Sequence, residues 1–125
     1  MQDTALVQYG CTDRVATIAL NRPDKLNAMS DELMAQLTQC MHRFDHDPDA
    51  DVAIVCGNGR AFSAGADVRQ GQMKTREEME RSSDPMGIGS PLGDLLTRST
   101  HWKPVVCAVH GYALGMALGL SLIHI

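Results

Sequence analysis

Aromatic side chains are scarce, at 4% of the 125 residues, which is little material for a self-contained core of this length. That shortage, beside a length too small for two full domains, predicts a single domain present only in part. No segment gathers the basic residues that a phosphate backbone requires. With 11 Lys+Arg against 15 Asp+Glu the formal net charge is -4, and nucleic acid is excluded as a partner. Paired cysteine spacing is absent as well. Cys11, Cys40, Cys56 and Cys107 stand apart, and no basic stretch followed by an apolar core opens the chain, so they read as reduced thiols of a cytoplasmic protein. There is no repeat of fixed period. Residues 105–125 form the one mostly apolar run, with Gly111, Gly115 and Gly119 at the spacing of a membrane helix contact. His110, Tyr112 and His124 interrupt it, and β-branched Val105–Val109 suits a strand followed by a turn and a helix, so no membrane partner is expected.

What is present alternates between strand-like and helix-like segments. Ala5–Tyr9 and Arg14–Leu20 are β-prone runs separated by Gly10-Cys11-Thr12-Asp13, the pattern of a hairpin with a four-residue connection. Ser30, followed by Asp31 and Glu32, supplies a helix N-cap with acidic residues near the positive end of the helix. Leu33, Leu37, Cys40, Met41 and Phe44 then recur at helical spacing, and Pro48 lies just past the stop. Val52–Cys56 is unbroken and apolar, as a strand buried on both faces would be. Residues 68–89 turn polar and are expected to be mobile. Ser90-Pro91 starts a second helix carrying Leu92, Leu95 and Leu96, and Pro104 closes it before a third buried strand over Val105–Val109. A final helix follows His110–Gly115. This order predicts an α/β fold with right-handed crossovers and mostly parallel strands.

Two turns concentrate small residues, Ala61–Val68 and His110–Met116, and each follows a buried strand and leads toward a helix. Parallel sheets bind ligands at the carboxyl ends of their strands, where helix starts offer unpaired N–H groups and partial positive charge. Two such turns can clamp one oxygen that is becoming negative. Either turn taken singly reads better as tight packing.

Together with the segment after the second strand, these turns make three ordered blocks: Asn21-Arg22-Pro23-Asp24-Lys25-Leu26-Asn27-Ala28-Met29, Ala61-Phe62-Ser63-Ala64-Gly65-Ala66-Asp67-Val68, and Lys103-Pro104-Val105-Val106-Cys107-Ala108-Val109-His110-Gly111-Tyr112-Ala113-Leu114-Gly115. In this order they resemble the enoyl-CoA hydratase/isomerase family, also called the crotonase family, over nearly the whole chain to about Leu120. The resemblance implies a crotonase-like spiral of ββα turns, truncated here, so that residues 1–125 are an incomplete N-terminal part of one domain. It implies an acyl-CoA substrate, no cofactor beyond the CoA moiety, and a homotrimer or hexamer for the full-length form. By motif position, the backbone N–H groups of Ala66 and Met116 are the catalytic pair that receives the thioester oxygen as it gains enolate charge. One preorganised donor of this kind is typically worth about 3–4 kcal/mol in the transition state. The same match puts Lys25, Leu26, Ala28, Ala64, Gly65, Asp67, Val68 and Gly115 along the bound substrate. Without the match, Lys25 is an ordinary surface lysine and Asp67 a helix cap.

Departures from the family pattern bear on the reaction. Gly119 stands where the family's hydratases carry a glutamate, and a glycine moves no proton. Their second glutamate falls beyond Ile125, and Ala117 replaces a common glycine. Hydration, double-bond shift, decarboxylation and ring chemistry therefore stay open, and so does a noncatalytic CoA-binding member of the family. Other signals are weaker. His42 and His46 lack a third metal ligand, Asp45 to Asp51 lacks the glycine and glutamate of a calcium loop, and Gly57-x-Gly59 meets Phe62 where a dinucleotide turn needs glycine. Ser63 lacks the first glycine of a nucleophile elbow, and Met29, Met34 and Met41 read as core.

Overall fold

Asp13 and Arg14 both adopt left-handed backbone angles (φ 52° and 68°), and they reverse the chain between β1 (Val7–Thr12) and β2 (Val15–Leu20). Thr12 pairs with Val15, so the turn has two residues, and Gly10, Cys11 and Thr12 lie in the strand and not in a four-residue connection. The physical reason is twist: a two-residue turn with positive φ at both positions matches the right-handed twist of paired strands, and Asp tolerates that conformation. The computed structural model describes residues 5–69, 75–77, 103–115, 117, 118 and 120. Within them, a short 3-10 turn (Pro23–Lys25), α1 (Asp31–His46), β3 (Val52–Gly57) and β4 (Val105–Cys107) follow β2. The sheet order is β1-β2-β3-β4, with the first pair antiparallel and the other two parallel.

α1 starts where its sequence says it should. Ser30 is extended (φ -77°, ψ 163°) and its side chain accepts a hydrogen bond from Leu33 N at 3.2 Å, a cap worth about 1 kcal/mol. Leu33, Leu37, Met41 and Phe44 are buried as the spacing requires, Met34 joins them, and Cys40 is only half-buried. At the other end, the Lys103 ammonium donates to the carbonyls of Phe44, Asp47 and Ala50 at 2.9, 2.6 and 2.7 Å, so a cation closes the negative end of the helix.

The helix covers one face of the sheet. Ala16, Ile18 and Leu20 of β2, Ala53 and Val55 of β3 and Val105 of β4 join the α1 side chains in one core. Each large aliphatic or aromatic member adds roughly 1.5–3 kcal/mol by leaving water. The opposite face carries the paired row Thr17, Ile54 and Val106. Thr17 is exposed, Ile54 half-buried and Val106 56% exposed, which corrects the expectation that β3 and β4 are buried on both faces. Among the described residues no helix covers that row, because α1 packs on the other side of the sheet, with the core. β4 is also shorter than expected and ends at Cys107, with Val109 47% exposed.

The expected second helix from Ser90 lies outside the described residues, as does most of residues 68–89. Ala117 and Leu118 are helical, and Ala117 and Leu120 are buried in the core. Met116 and Gly119 lie outside the described residues. No helix among the described residues is long and apolar enough to cross a membrane.

Candidate functional site

The carboxyl ends of β2, β3 and β4 all lie at one end of the sheet, since these strands run parallel. The chain leaves that end three times, through residues 21–29, 58–67 and 108–115, and these are the segments that carry the three sequence blocks. They form a small irregular ladder. Ala64 N donates to Leu26 O at 2.9 Å, Met29 N to Gly65 O at 2.7 Å, and Asp67 N to Met29 O at 3.2 Å. On the other side, Phe62 N donates to His110 O at 2.7 Å, Ser63 N to Tyr112 O at 3.0 Å, and Leu114 N to Ser63 O at 3.3 Å. The middle segment is thus held from both sides.

Asn27 fastens this arrangement from inside. It is fully buried, has a left-handed backbone (φ 54°), and its side chain accepts from Arg22 N at 2.8 Å and donates to Asn58 O and Ala61 O, both at 2.9 Å. Its carbonyl accepts from the Ser63 hydroxyl at 2.7 Å, and the Ser63 hydroxyl oxygen in turn accepts from Gly65 N at 3.1 Å. Gly111 (φ 61°) lies so close to Arg60 O that any side chain there would collide with it. The small residues of these turns therefore permit backbone to approach backbone.

The consequence falls on Ala66. A trans peptide points its C=O and the following N–H in opposite directions. Gly65 O is taken by Met29 N, so the Ala66 N–H is directed away from Met29. Ala66 is exposed, and among the described residues its N–H meets no acceptor. Gly65, at φ 91°, makes the bend that separates the two adjoining peptide planes.

The other predicted residues divide into two groups. Leu26, Ala28, Ala64, Gly65 and Asp67 meet directly or through Arg22, which donates to both Ala28 O (3.1 Å) and the Asp67 carboxylate (2.7 Å). Asp67 also accepts from Arg69 N at 3.1 Å, so it caps the chain that continues through Val68. Lys25 sits exposed at the end of the 3-10 turn, Val68 is 72% exposed, and Gly115 (φ 54°) is exposed where a helical turn starts with Ala117 N on Leu114 O and Leu118 N on Gly115 O. Much of the backbone expected along the substrate already has partners: the N–H groups of Lys25, Leu26, Ala28 and Ala64, and the carbonyls of Leu26 and Ala28. Ala64 C=O and Ala66 N–H have none among the described residues. Met116, the second expected donor, lies outside those residues.

The sequence pattern gives Arg22 and Asn27 no side-chain role and offers Ser63 only as a nucleophile. A usable signal existed for Asn27, a polar residue with high tolerance for positive φ inside a segment that must turn sharply. The thiols add no chemistry here. Burial pushes Cys40, Cys56 and Cys107 up, which keeps them protonated near neutral pH. A cleft of about 780 Å³, lined in part by Tyr9, Arg43, His46 and Asp47, lies at the hairpin-turn end of the sheet, remote from the Ala66 turn.

Comparison with known proteins agrees with this geometry. The family description Enoyl-CoA hydratase/isomerase matches residues 10–124. The chain is 34% identical over 117 residues to the 1,2-epoxyphenylacetyl-CoA isomerase of Escherichia coli K12, covering 86% of this chain and 41% of that protein. It is also 34% identical over 112 residues to the (E)-benzylidenesuccinyl-CoA hydratase of Thauera aromatica, covering 89% and 41%. The structure of an enoyl-CoA hydratase subunit I from Geobacillus kaustophilus HTA426 superposes with a TM-score of 0.82 at 29% identity, covering 98% of this chain and 45% of that one. The chain thus spans about two-fifths of the length of these curated relatives. The sheet, the three laced segments and a match over all but the chain ends agree, and on these grounds the chain belongs to the enoyl-CoA hydratase/isomerase family, with its crotonase fold present in part.

Proposed function

We propose that this chain contributes to an enzyme acting on an acyl-CoA thioester, in which the N–H groups of Ala66 and Met116 receive the thioester oxygen as it takes on enolate charge. The observation that carries this reading is the Ala66 N–H, held in a fixed direction by Met29 and Gly65 and left without an acceptor among the described residues. A donor that is fixed beforehand needs no reorganisation when charge appears, which is why it favours the transition state over the ground state.

Binding of the CoA portion falls to the rims of the same turn. Lys25, exposed beside Leu26 and Ala28, offers an ammonium to phosphate groups, and Ala64 C=O is open to an amide or amine donor. Gly65, Asp67 and Val68 shape the far side of the turn, and Gly115 opens the way to the second donor. No cofactor is needed beyond CoA itself. The reaction type is set by acid and base groups, and overall similarity does not choose among them, since the isomerase and the hydratase are equally identical to this chain.

A second reading is a noncatalytic CoA-binding protein, favoured by Gly119 in place of a proton-transferring residue. The deciding experiment replaces the Ala66 amide with an ester in the complete reading frame, by incorporating lactic acid at position 66. This deletes the N–H and adds no bulk. Loss of about 10²–10³ in kcat on a responsive acyl-CoA, with CoA affinity retained, supports the enzyme reading. Unchanged turnover refutes the role of Ala66, and CoA binding without turnover of any acyl-CoA by the unmodified protein selects the noncatalytic reading.

A further inference from the structure

Ser63 is 0% exposed and still carries a hydroxyl, so its role lies in its partners. The proton goes to Asn27 O at 2.7 Å, and the oxygen accepts from Gly65 N at 3.1 Å. A proton committed to a carbonyl has no base to take it, which removes Ser63 as a nucleophile. What the hydroxyl does control is the peptide between Ala64 and Gly65, because it holds the N–H of that unit.

The next peptide, between Gly65 and Ala66, is held by Met29 N on Gly65 O. Both constraints meet at Gly65, whose φ of 91° relates one peptide plane to the other. With both planes pinned, the direction of the Ala66 N–H is determined. With the Ser63 hydroxyl gone, the single bond from Met29 N is left to hold both planes, and the glycine between them, the residue least able to resist rotation, lets the pair reorient about that bond and carry the Ala66 N–H with it. Asn27 anchors the hydroxyl in turn, through side-chain bonds to Arg22 N, Asn58 O and Ala61 O. A chain of contacts runs from the end of β2, through Asn27 and Ser63, to the donor.

We propose that Ser63 is a positioning residue, whose buried hydroxyl, fixed by Asn27, sets the orientation of the Ala66 N–H. Its catalytic consequence rests on the reading of Ala66 as a donor to the thioester oxygen, whereas its structural consequence does not. A rotated donor binds the ground-state thioester nearly as well but meets the enolate oxygen poorly. The loss is therefore expected in kcat and not in KM.

The test compares Ser63→Ala with the parent and with Lys103→Met in the complete reading frame, following both acyl-CoA turnover and the ¹⁵N-resolved amide resonance of Ala66. Lys103→Met removes three hydrogen bonds at the opposite end of α1 and controls for lost stability. Expected for Ser63→Ala are a fall in kcat of about 10- to 100-fold, an unmoved KM and a displaced Ala66 resonance. Lys103→Met should leave all three unchanged per folded molecule. An unmoved Ala66 resonance in Ser63→Ala overturns the proposal, as does an equal loss of kcat in Lys103→Met. A parent protein that turns over no acyl-CoA overturns the enzyme reading instead, and the Ala66 resonance alone then decides the role of Ser63. Should Ser63→Ala not fold, Ser63→Cys keeps the size with a weaker donor: a smaller loss of kcat with a displaced resonance supports the proposal, and parental values for both overturn it.

Discussion

The Arg22 guanidinium and the Asp67 carboxylate, 45 residues apart in sequence, meet at 2.7 Å with side chains only 22% and 13% exposed. The same nitrogen donates to Ala28 O at 3.1 Å, and the second carboxylate oxygen accepts from Arg69 N at 3.1 Å. One ion pair thereby ties the segment after β2 to the turn carrying Ala66 and also caps the chain beyond it. Sequence alone left Asp67 between two roles, cap and substrate contact. The structure gives it the cap together with a tie to Arg22.

Replacing that carboxylate should cost stability and loosen the turn at once. Asp67→Asn leaves the Arg22 charge partly buried without its counterion, and a loss of about 1–3 kcal/mol is expected from the unfolding midpoint in urea. Because Ala66 directly precedes Asp67, acyl-CoA turnover per folded molecule should fall as well. A variant with parental stability shows the pair to be a solvated contact of no consequence.

How far these relationships were legible depended on the distance over which each is decided. α1 was legible because Ser30, the acidic first turn and the apolar stripe are all local signals, and its observed start and buried face follow them. The turn between β1 and β2 was misplaced because Gly10 reads as a breaker. In the sheet Gly10 pairs with Thr17, and cross-strand pairing overrode the local signal. β-branched composition announced β4 but carried no information about which layer covers it, so the exposure of Val106 was out of reach. The roles of Asn27 and Ser63 are set by partners more than thirty residues away, and neither spacing nor residue type discloses such a match.

Asn27 supports a sharper expectation. Truncation to alanine removes the partner of Arg22 N and of the carbonyls of Asn58 and Ala61, the last of these in a fully buried bond, and it puts alanine at a left-handed φ. A loss of at least about 3 kcal/mol should follow. Asn27→Asp is the informative companion. It keeps the acceptor for Arg22 N but sets a carboxylate against two carbonyl oxygens, so it should be no milder than the alanine variant in chemical denaturation. A mild Asn27→Asp would mean that the two donated bonds contribute little.

Lys103 separates stability from chemistry. Its ammonium serves three carbonyls near the end of α1 and lies 5.2 Å from the centroid of the Phe44 ring. Lys103→Met keeps the aliphatic stem and removes the charge, with an expected loss of about 2–3 kcal/mol and early fraying at the helix end in amide exchange. The Ala66 turn is at the other end of the sheet, so kcat corrected for the folded fraction should match the parent.

The Tyr9–Asp47 contact predicts how stability responds to pH. The Tyr9 hydroxyl donates to the Asp47 carboxylate at 2.6 Å, and Asp49 N donates to the other carboxylate oxygen at 2.9 Å. The Tyr9 bond, followed by the Asp49 bond, holds the Asp47 carboxyl below its ordinary value. A carboxyl that is more acidic when folded contributes stability above its unfolded value of about 4, and that contribution disappears as pH falls through the lower folded value. The phenol moves the other way. Partial burial and the bond to Asp47 push it up, so its contribution is complete below its unfolded value of about 10 and is lost above it. Tyr9→Phe removes the phenol's dependence and the largest part of the carboxyl's, leaving the part that the Asp49 bond supplies. Urea unfolding followed by circular dichroism across pH should show the parent losing stability more steeply than Tyr9→Phe below about pH 4 and again above about pH 10, with a constant gap between them in the range from about 5 to 9. Parallel curves at both extremes would show that the short contact to Asp47 is not maintained in solution.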